Sequence, residues 1–247
     1  MAWFKKQRAT REKMLYSEGF PTAERPSYRA VLSALEMQLQ AEWYLEIGSR
    51  TGTSLADRTC NFIAVDPDFS LGNNVFNKSE TQFFFQEESD KFFARDFLSI
   101  NKIVPELAFV DGMHLIEYIL RDFRNAEASM SSDGVIALHD ILPFNTRMTT
   151  RDLTALDKLD AWTGDVWKII PILQRWRPDL TLEVIGAFKT GLLVVRNLDP
   201  NNRVLFDAET DILGAFQGTE LSDYGPKTLF DSFELTAPAT YIAAIEG

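Results

Sequence analysis

Cysteine occurs once in the 247 residues, at Cys60. A single thiol forms no intramolecular disulfide and no thiolate metal cluster. Beside an apolar run it reads as a small buried hydrophobe. Histidine occurs twice, at His114 and His139. Basic residues are in short supply: 25 Lys and Arg stand against 36 Asp and Glu, a net charge of −11. That balance argues against a dominant phosphate-binding surface and against nucleic acid as a partner. No apolar run approaches the length of a membrane span. The basic start MAWFKKQRATREKM is not followed by the apolar stretch of a secretory signal, so the expectation is a soluble, cytoplasmic protein. There is no internal repeat and no low-complexity tract.

The remaining composition is that of a folded chain. Hydrophobic residues make up 45% and charged residues 25%, enough for one large α/β domain with a substantial core and too apolar for general disorder. SYRAVLSALEMQLQ (27–40) sets Val31, Leu32, Leu35 and Leu39 on one face, which predicts an amphipathic helix. EWYLEIG, NFIAVD (61–66), TQFFFQ (81–86), ELAFVD and GVIALHD (134–140) read as strands. TSLADRT, SDKFFARD and the stretch from about Leu115 to Met130 read as helices between them. Near-continuous Val, Ile, Phe and Leu in strands that alternate with helices indicates a parallel sheet covered on both faces. The FFF at 83–85 is expected in the core. Residues 143–162 look like a lid or long loop. GDVWKIIPILQRW reads as a helix bent by Pro171 or limited by it at its start. TLEVIGA (181–187) and GLLVVRN (191–197) read as an antiparallel pair. The tail from Leu198 is turn-rich. The simplest division is an N-terminal helical segment over 1–40, a core domain over 41–197 and a C-terminal extension over 198–247 packed on it.

Ligands of such sheets bind at the carboxyl ends of the strands. Here those ends carry Glu46-Ile47-Gly48, Asp66, Asp111 and His139-Asp140. In LEIGSRTGTSL, Gly48 and Gly52 let the backbone turn sharply and let a ligand approach. Asp66 ends the next strand, where an acid accepts hydrogen bonds from both hydroxyls of a ribose. A dinucleotide fingerprint needs G-x-G-x-x-G; here no third glycine follows. Glu46 just before the turn would repel a pyrophosphate and favour a cationic ligand. The pattern favours S-adenosylmethionine over NAD.

YLEIGSRTGTSL, FIAVDP, AFVDGMHLIEYILRDF and DGVIALHD together resemble the successive motifs of class I S-adenosylmethionine-dependent methyltransferases, most closely the catechol and macrocin O-methyltransferase branch. The resemblance covers roughly residues 42–140 and extends more weakly through TGDVWK and GLLVVRNLDP. It implies a Rossmann-like, doubly wound sheet of about seven strands, the last antiparallel, with helices on both faces. The cofactor contacts expected on it are Glu46, Gly48, Gly52, Ser54, Asp66, Ser89, Asp90 and Asp111. Asp111 and Asp140 end adjacent strands, where two carboxylates repel unless a cation or proton lies between them, and their hard oxygens suit Mg²⁺, Ca²⁺ or Mn²⁺; the resemblance implies Mg²⁺ at these two residues. The Asn that follows the second Asp in those enzymes is Ile141 here, so Asn145, His139 or a water has to complete the ligand set.

His114 stands where the catechol-type enzymes have a catalytic Lys. It titrates near neutrality and can take a proton from a hydroxyl, or else cap the helix that follows. With Asp111 it forms the expected catalytic pair. His139 precedes Asp140 and is expected to point to the opposite side. Glu117 and Arg121 have the spacing of a solvated helix pair. The function expected is O-methylation of a small-molecule hydroxyl with divalent metal assistance. A nucleotide-dependent oxidoreductase and a non-catalytic cofactor-binding protein are the alternatives. Trp3, Phe4 and the C-terminal TYIAAI offer a surface on which a homodimer could form.

Overall fold

The computed structural model describes residues 19–76, 79–159 and 161–246. In chain order its strands are β1 (Glu24–Ser27), β2 (Trp43–Ile47), β3 (Asn61–Val65), β4 (Gln82–Phe85), β5 (Leu107–Val110), β6 (Val135–His139), β7 (Thr181–Ile185), β8 (Ala187–Phe188), β9 (Leu192–Arg196) and β10 (Leu235–Thr236). Eight of them form one sheet in the order β10-β7-β9-β6-β5-β2-β3-β4, and β1 pairs with β8 separately. β2 to β6 are parallel, and β9 runs antiparallel to both β6 and β7. This is a doubly wound α/β sheet with the expected antiparallel strand, extended by the short edge strand β10.

Side-chain alternation divides the core. Leu45, Ile47, Ile63 and Val110 point to one face, under α4 (Ile116–Ser129) and α5 (Ile169–Trp176). Tyr44, Phe62, Ala64 and Phe109 point to the other, under α1 (Tyr28–Leu39). α4 buries Ile116, Ile119, Leu120, Phe123 and Ala126, the stripe that its 3.6-residue period dictates. Pro171 falls in the first turn of α5, where its missing N–H costs nothing, and the helix begins only after a 3₁₀ turn at Val166–Lys168.

Several expectations change. TSLADRT forms only a 3₁₀ turn, Leu55–Asp57. After α2 (Ser89–Ala94) comes an unforeseen helix, α3 (Phe97–Asn101). Phe83, Phe84 and Phe85 are half-buried, because β4 is an edge strand. The tail is largely helical: α6 (Val204–Asp207), α7 (Glu209–Phe216), α8 (Leu221–Tyr224), α9 (Pro226–Phe230) and α10 (Pro238–Glu246). Leu205, Ile212 and Phe216 join the core under α4, while Leu221 and Leu229 enclose Trp167. Tyr241 of the TYIAAI segment is buried with Val31, Leu32 and Leu35 of α1. Its apolar surface is thus largely used within the chain. Trp3 and Phe4 lie outside the described residues. Among the described residues, no helix is long and apolar enough to cross a membrane.

Candidate active site at the carboxyl ends of the central strands

β2 has β3 on one side and β5 on the other, so the chain reverses its winding direction at β2. The crevice at such a reversal is where open α/β sheets bind ligands. Gly48 leaves β2 with φ +92°, and a Cβ there would lie 2.1 Å from the Asp111 carbonyl oxygen. Only glycine permits both the backbone and the approach. Asp111 N–H donates to the Ile47 carbonyl (2.8 Å), so the ends of β2 and β5 are fastened together at this point.

Glu46 lies beneath the glycine loop. It is fully buried and accepts from the Tyr44 hydroxyl (2.6 Å) and from Ser54 Oγ (2.7 Å). Burial pushes its carboxyl up to about 7, although both hydrogen bonds pull the other way. Glu46 and Ser54 therefore engage each other and brace the loop from inside. Asp66 is buried at the end of β3. Its two oxygens accept from Arg50 N–H (3.0 Å) and Asp68 N–H (2.8 Å), which ties the glycine loop to the second strand end. Each oxygen keeps a second lone-pair direction for an incoming hydroxyl. Gly52, at φ +68°, is covered by Leu71 and Val75. Ser89 opens α2 and donates to buried Asp122 (2.5 Å), and Asp90 pairs with Arg121 (3.1 Å). The expected Glu117–Arg121 pair does not form: Glu117 accepts from Arg151 (2.7 Å) instead, because Asp90 and Arg151 reach these side chains from other segments.

Asp111, His114, His139 and Asp140 converge at the ends of β5 and β6. Asp111 Oδ1 lies 3.1 Å from His139 Nδ1 and 3.4 Å from His114 Nε2. Asp140 Oδ2 lies 3.2 Å from His114 Nδ1, and Asp140 Oδ1 lies 3.6 Å from His139 Nδ1. The four side chains are 10 to 22% exposed. His139 was expected on the opposite side from Asp140. That expectation fails because Asp140 adopts φ +61°, which breaks the strand's alternation and brings both side chains into one cluster. Thr190, which the sequence did not flag, donates to Asp140 Oδ1 and lies 3.3 Å from His139 Nε2.

Asp111, His139 and Asp140 each offer a ligand atom, all within 4.8 Å of one another, and so fit a divalent cation. Ile141 is fully buried, Asn145 accepts from Met148 N–H at a turn, and His139 is the third member of this trio. Burial alone would lower the pKa of His114. The Asp111 hydrogen bond and the charges of Asp140 and Asp111 outweigh it and raise His114 to about 9. His139 shifts the same way against its burial, through Asp140 and Asp111. Burial would raise Asp111, but the two histidines hold it far below the usual carboxylate range.

Residues 161–165 pack beside this cluster, with Asp165 N–H donating to the His114 carbonyl (3.0 Å). Trp162 stacks on His114 with ring centroids 5.0 Å apart, and its carbonyl lies 3.2 Å from His114 Nδ1. The helix cap weighed for His114 belongs to Asp165, whose carboxylate accepts from Ile116 N–H (2.7 Å) at the start of α4. Asp165 also holds Arg151 (2.5 Å) and buried Lys168 (2.7 Å). Tyr28, at the start of α1, packs on His139 with centroids 4.2 Å apart. Trp162 and Tyr28 left no signal in the sequence, because only the fold brings their segments to the strand ends.

No protein-family model matches the chain, and no curated protein matches it. Solved structures with a related chain course include the O-methyltransferase TomG from Streptomyces achromogenes in complex with SAM (16% identity, TM-score 0.45, 68% of this chain and 78% of that one). Others are an O-methyltransferase from Bacillus cereus in complex with SAH (13%, 0.48, 71% and 83%) and a putative O-methyltransferase from Klebsiella pneumoniae (15%, 0.47, 72% and 83%). At these values the likeness does not extend to family or activity, and the chemistry has to come from the site.

Proposed function

We propose that the protein is an S-adenosylmethionine-dependent O-methyltransferase acting on a small-molecule hydroxyl. The observation that carries this reading is the convergence of Asp111, His114, His139 and Asp140 beside the Gly48 loop. Asp66 supplies acceptor directions for ribose hydroxyls at the next strand end. Asp111 and Asp140 would hold a divalent cation, Mg²⁺ by the sequence resemblance, and its charge would lower the pKa of the acceptor hydroxyl.

His114 takes the acceptor's proton. Its Nδ1 has two acceptors at 3.2 Å, the Trp162 carbonyl and Asp140 Oδ2, whereas Nε2 has one at 3.4 Å, Asp111 Oδ1. In the neutral ring Nδ1 therefore carries the hydrogen, and Nε2 keeps the lone pair. The acceptor oxygen forms a bond to the methyl carbon as the carbon–sulfur bond breaks. The hydroxyl proton passes to Nε2, and the sulfur leaves as a neutral thioether. Trp162 and the segment around it exclude water and hold the imidazole in place.

Calorimetry with S-adenosylmethionine and with NAD tests the reading. The expected result is binding of the methyl donor alone, weakened by about 1–3 kcal/mol in Asp66→Ala. Binding of NAD in its place would favour an oxidoreductase. Donor binding without methyl transfer to any hydroxyl acceptor would favour a non-catalytic binding protein.

A further inference from the structure

We infer that His139 is a nitrogen ligand of the metal, and that the site selects a borderline transition-metal ion of the Mn²⁺, Fe²⁺, Co²⁺ and Zn²⁺ group over Mg²⁺. The inference rests on the metal-assisted reading above and deepens it.

Hydrogen-bond accounting comes first. The Thr190 hydroxyl donates its only hydrogen to Asp140 Oδ1, a carboxylate that can only accept. Toward His139 Nε2, 3.3 Å away, the Thr190 oxygen can therefore only accept. Nε2 must then carry a hydrogen, and the neutral ring keeps its lone pair on Nδ1. That lone pair faces Asp111 Oδ1 at 3.1 Å. A lone pair and a carboxylate oxygen repel at this distance unless positive charge lies between them. The arrangement is also that of a metal-bound histidine: one nitrogen free to ligate, and the other anchored by a hydrogen bond that fixes the ring.

The distances agree. Metal–ligand bonds of about 2.1 Å place neighbouring donor atoms about 3.0 Å apart in an octahedron and about 3.4 Å apart in a tetrahedron. His139 Nδ1 lies 3.1 Å from Asp111 Oδ1 and 3.6 Å from Asp140 Oδ1. The left-handed backbone at Asp140, φ +61°, lets consecutive residues present both donors to one point. Tyr28 packs on the His139 ring and restricts its rotation.

The donor set decides the metal. Mg²⁺ takes hard oxygen ligands almost exclusively. Two carboxylates and an imidazole suit Mn²⁺, Fe²⁺, Co²⁺ or Zn²⁺ better, because imidazole nitrogen is a borderline donor.

The test uses the full chain, stripped with chelator and titrated with MnCl₂ and MgCl₂ in the absence of methyl donor. Electron spin-echo spectroscopy of bound Mn²⁺ should show modulation from a directly coordinated imidazole ¹⁴N, and Mg²⁺ should displace Mn²⁺ only at large excess. His139→Asn should remove the modulation and lower Mn²⁺ affinity about 10- to 100-fold, the scale on which the shell around a metal acts. Mg²⁺ affinity should change far less. The wild-type nitrogen signal decides the matter even if the variant fails to fold. Bound Mn²⁺ without a nitrogen signal, or Mg²⁺ bound as tightly as Mn²⁺, would overturn the inference. No Mn²⁺ binding, alongside normal binding of S-adenosylmethionine, would overturn it too and leave a cluster held by protons alone in a methyl-donor-binding protein. Nitrogen-coordinated Mn²⁺ in a chain that binds no methyl donor would support the metal centre and sink the methyltransferase reading instead.

Discussion

At the scale of single residues, His114 separates binding from chemistry. Its Nδ1 lies 3.2 Å from both the Trp162 carbonyl and Asp140 Oδ2, while Nε2 lies 3.4 Å from Asp111 Oδ1. A base must be neutral to accept a proton, and the surrounding carboxylates hold His114 charged up to about pH 9. Turnover should therefore rise with pH through the imidazole's pKa and then level off. A cation on Asp111 and Asp140 offsets their charge and moves that limb to lower pH. His114→Gln keeps the size of the side chain but cannot act as a base. It should reduce kcat by about 10²–10⁴-fold and leave methyl-donor affinity nearly unchanged. Steady-state kinetics across pH, set beside calorimetry, checks both statements. A wild-type rate with an unaltered profile would move the proton transfer to another group.

Among the elements, the loop that carries Arg151 and α4 are joined by one carboxylate. Asp165 satisfies the first N–H of α4 and holds both Arg151, which also grips Glu117, and Lys168, which is as buried as Asp165 itself. Among the described residues, Asp165→Ala leaves the Lys168 ammonium with the Gln217 carbonyl as its remaining hydrogen-bond acceptor (3.1 Å). The loss should be about 3–5 kcal/mol of unfolding free energy, as when one partner of a buried pair is removed. Urea denaturation reads this directly, and a loss under about 1 kcal/mol would mean that the network is solvent-screened. The strand ends were legible in the sequence because apolar runs stopped at Gly48, Asp66, Asp111 and His139-Asp140, and burial on both faces leaves few other readings. The partners were not legible. Glu117 and Arg121 satisfy the helical spacing rule, but side chains far away in sequence outbid it. His139 was assigned to the wrong side because one positive φ at Asp140 overrides the strand's period. The tail helices α6 to α9 were missed because each is too short to establish a period of its own.

Across the whole molecule, buried carboxylates set how stability depends on pH. Burial raises Glu46 from 4.5 to about 7, and it raises Asp122 from 3.8 to about 7 despite the Ser89 hydrogen bond. A group whose folded pKa is raised contributes stability that is complete below its unfolded pKa and is lost as pH rises through the folded one. Between about pH 4 and pH 7 both groups therefore weaken the fold as pH rises. Glu36, Glu117 and Asp179 work in the opposite sense. Burial would raise Glu36 and Glu117, but the Arg58 charge on the first and the Arg151 hydrogen bond on the second lower them, and the Arg177 hydrogen bond lowers Asp179. Their contribution is lost only below about pH 4.5. The protein in excess chelator should thus be most stable near pH 5 and lose stability steadily toward pH 8, whereas many proteins hold a plateau over this range. Glu46→Gln isolates one of these two causes, since an amide cannot ionise yet can still accept from Ser54 and donate to the Tyr44 hydroxyl. The variant should melt at a higher temperature than the wild type at pH 8, at nearly the same temperature at pH 5, and with a shallower slope between. Thermal melts at constant ionic strength provide the comparison. Parallel wild-type and Glu46→Gln curves across this range would show that Glu46 titrates in the fold as it does in the unfolded chain.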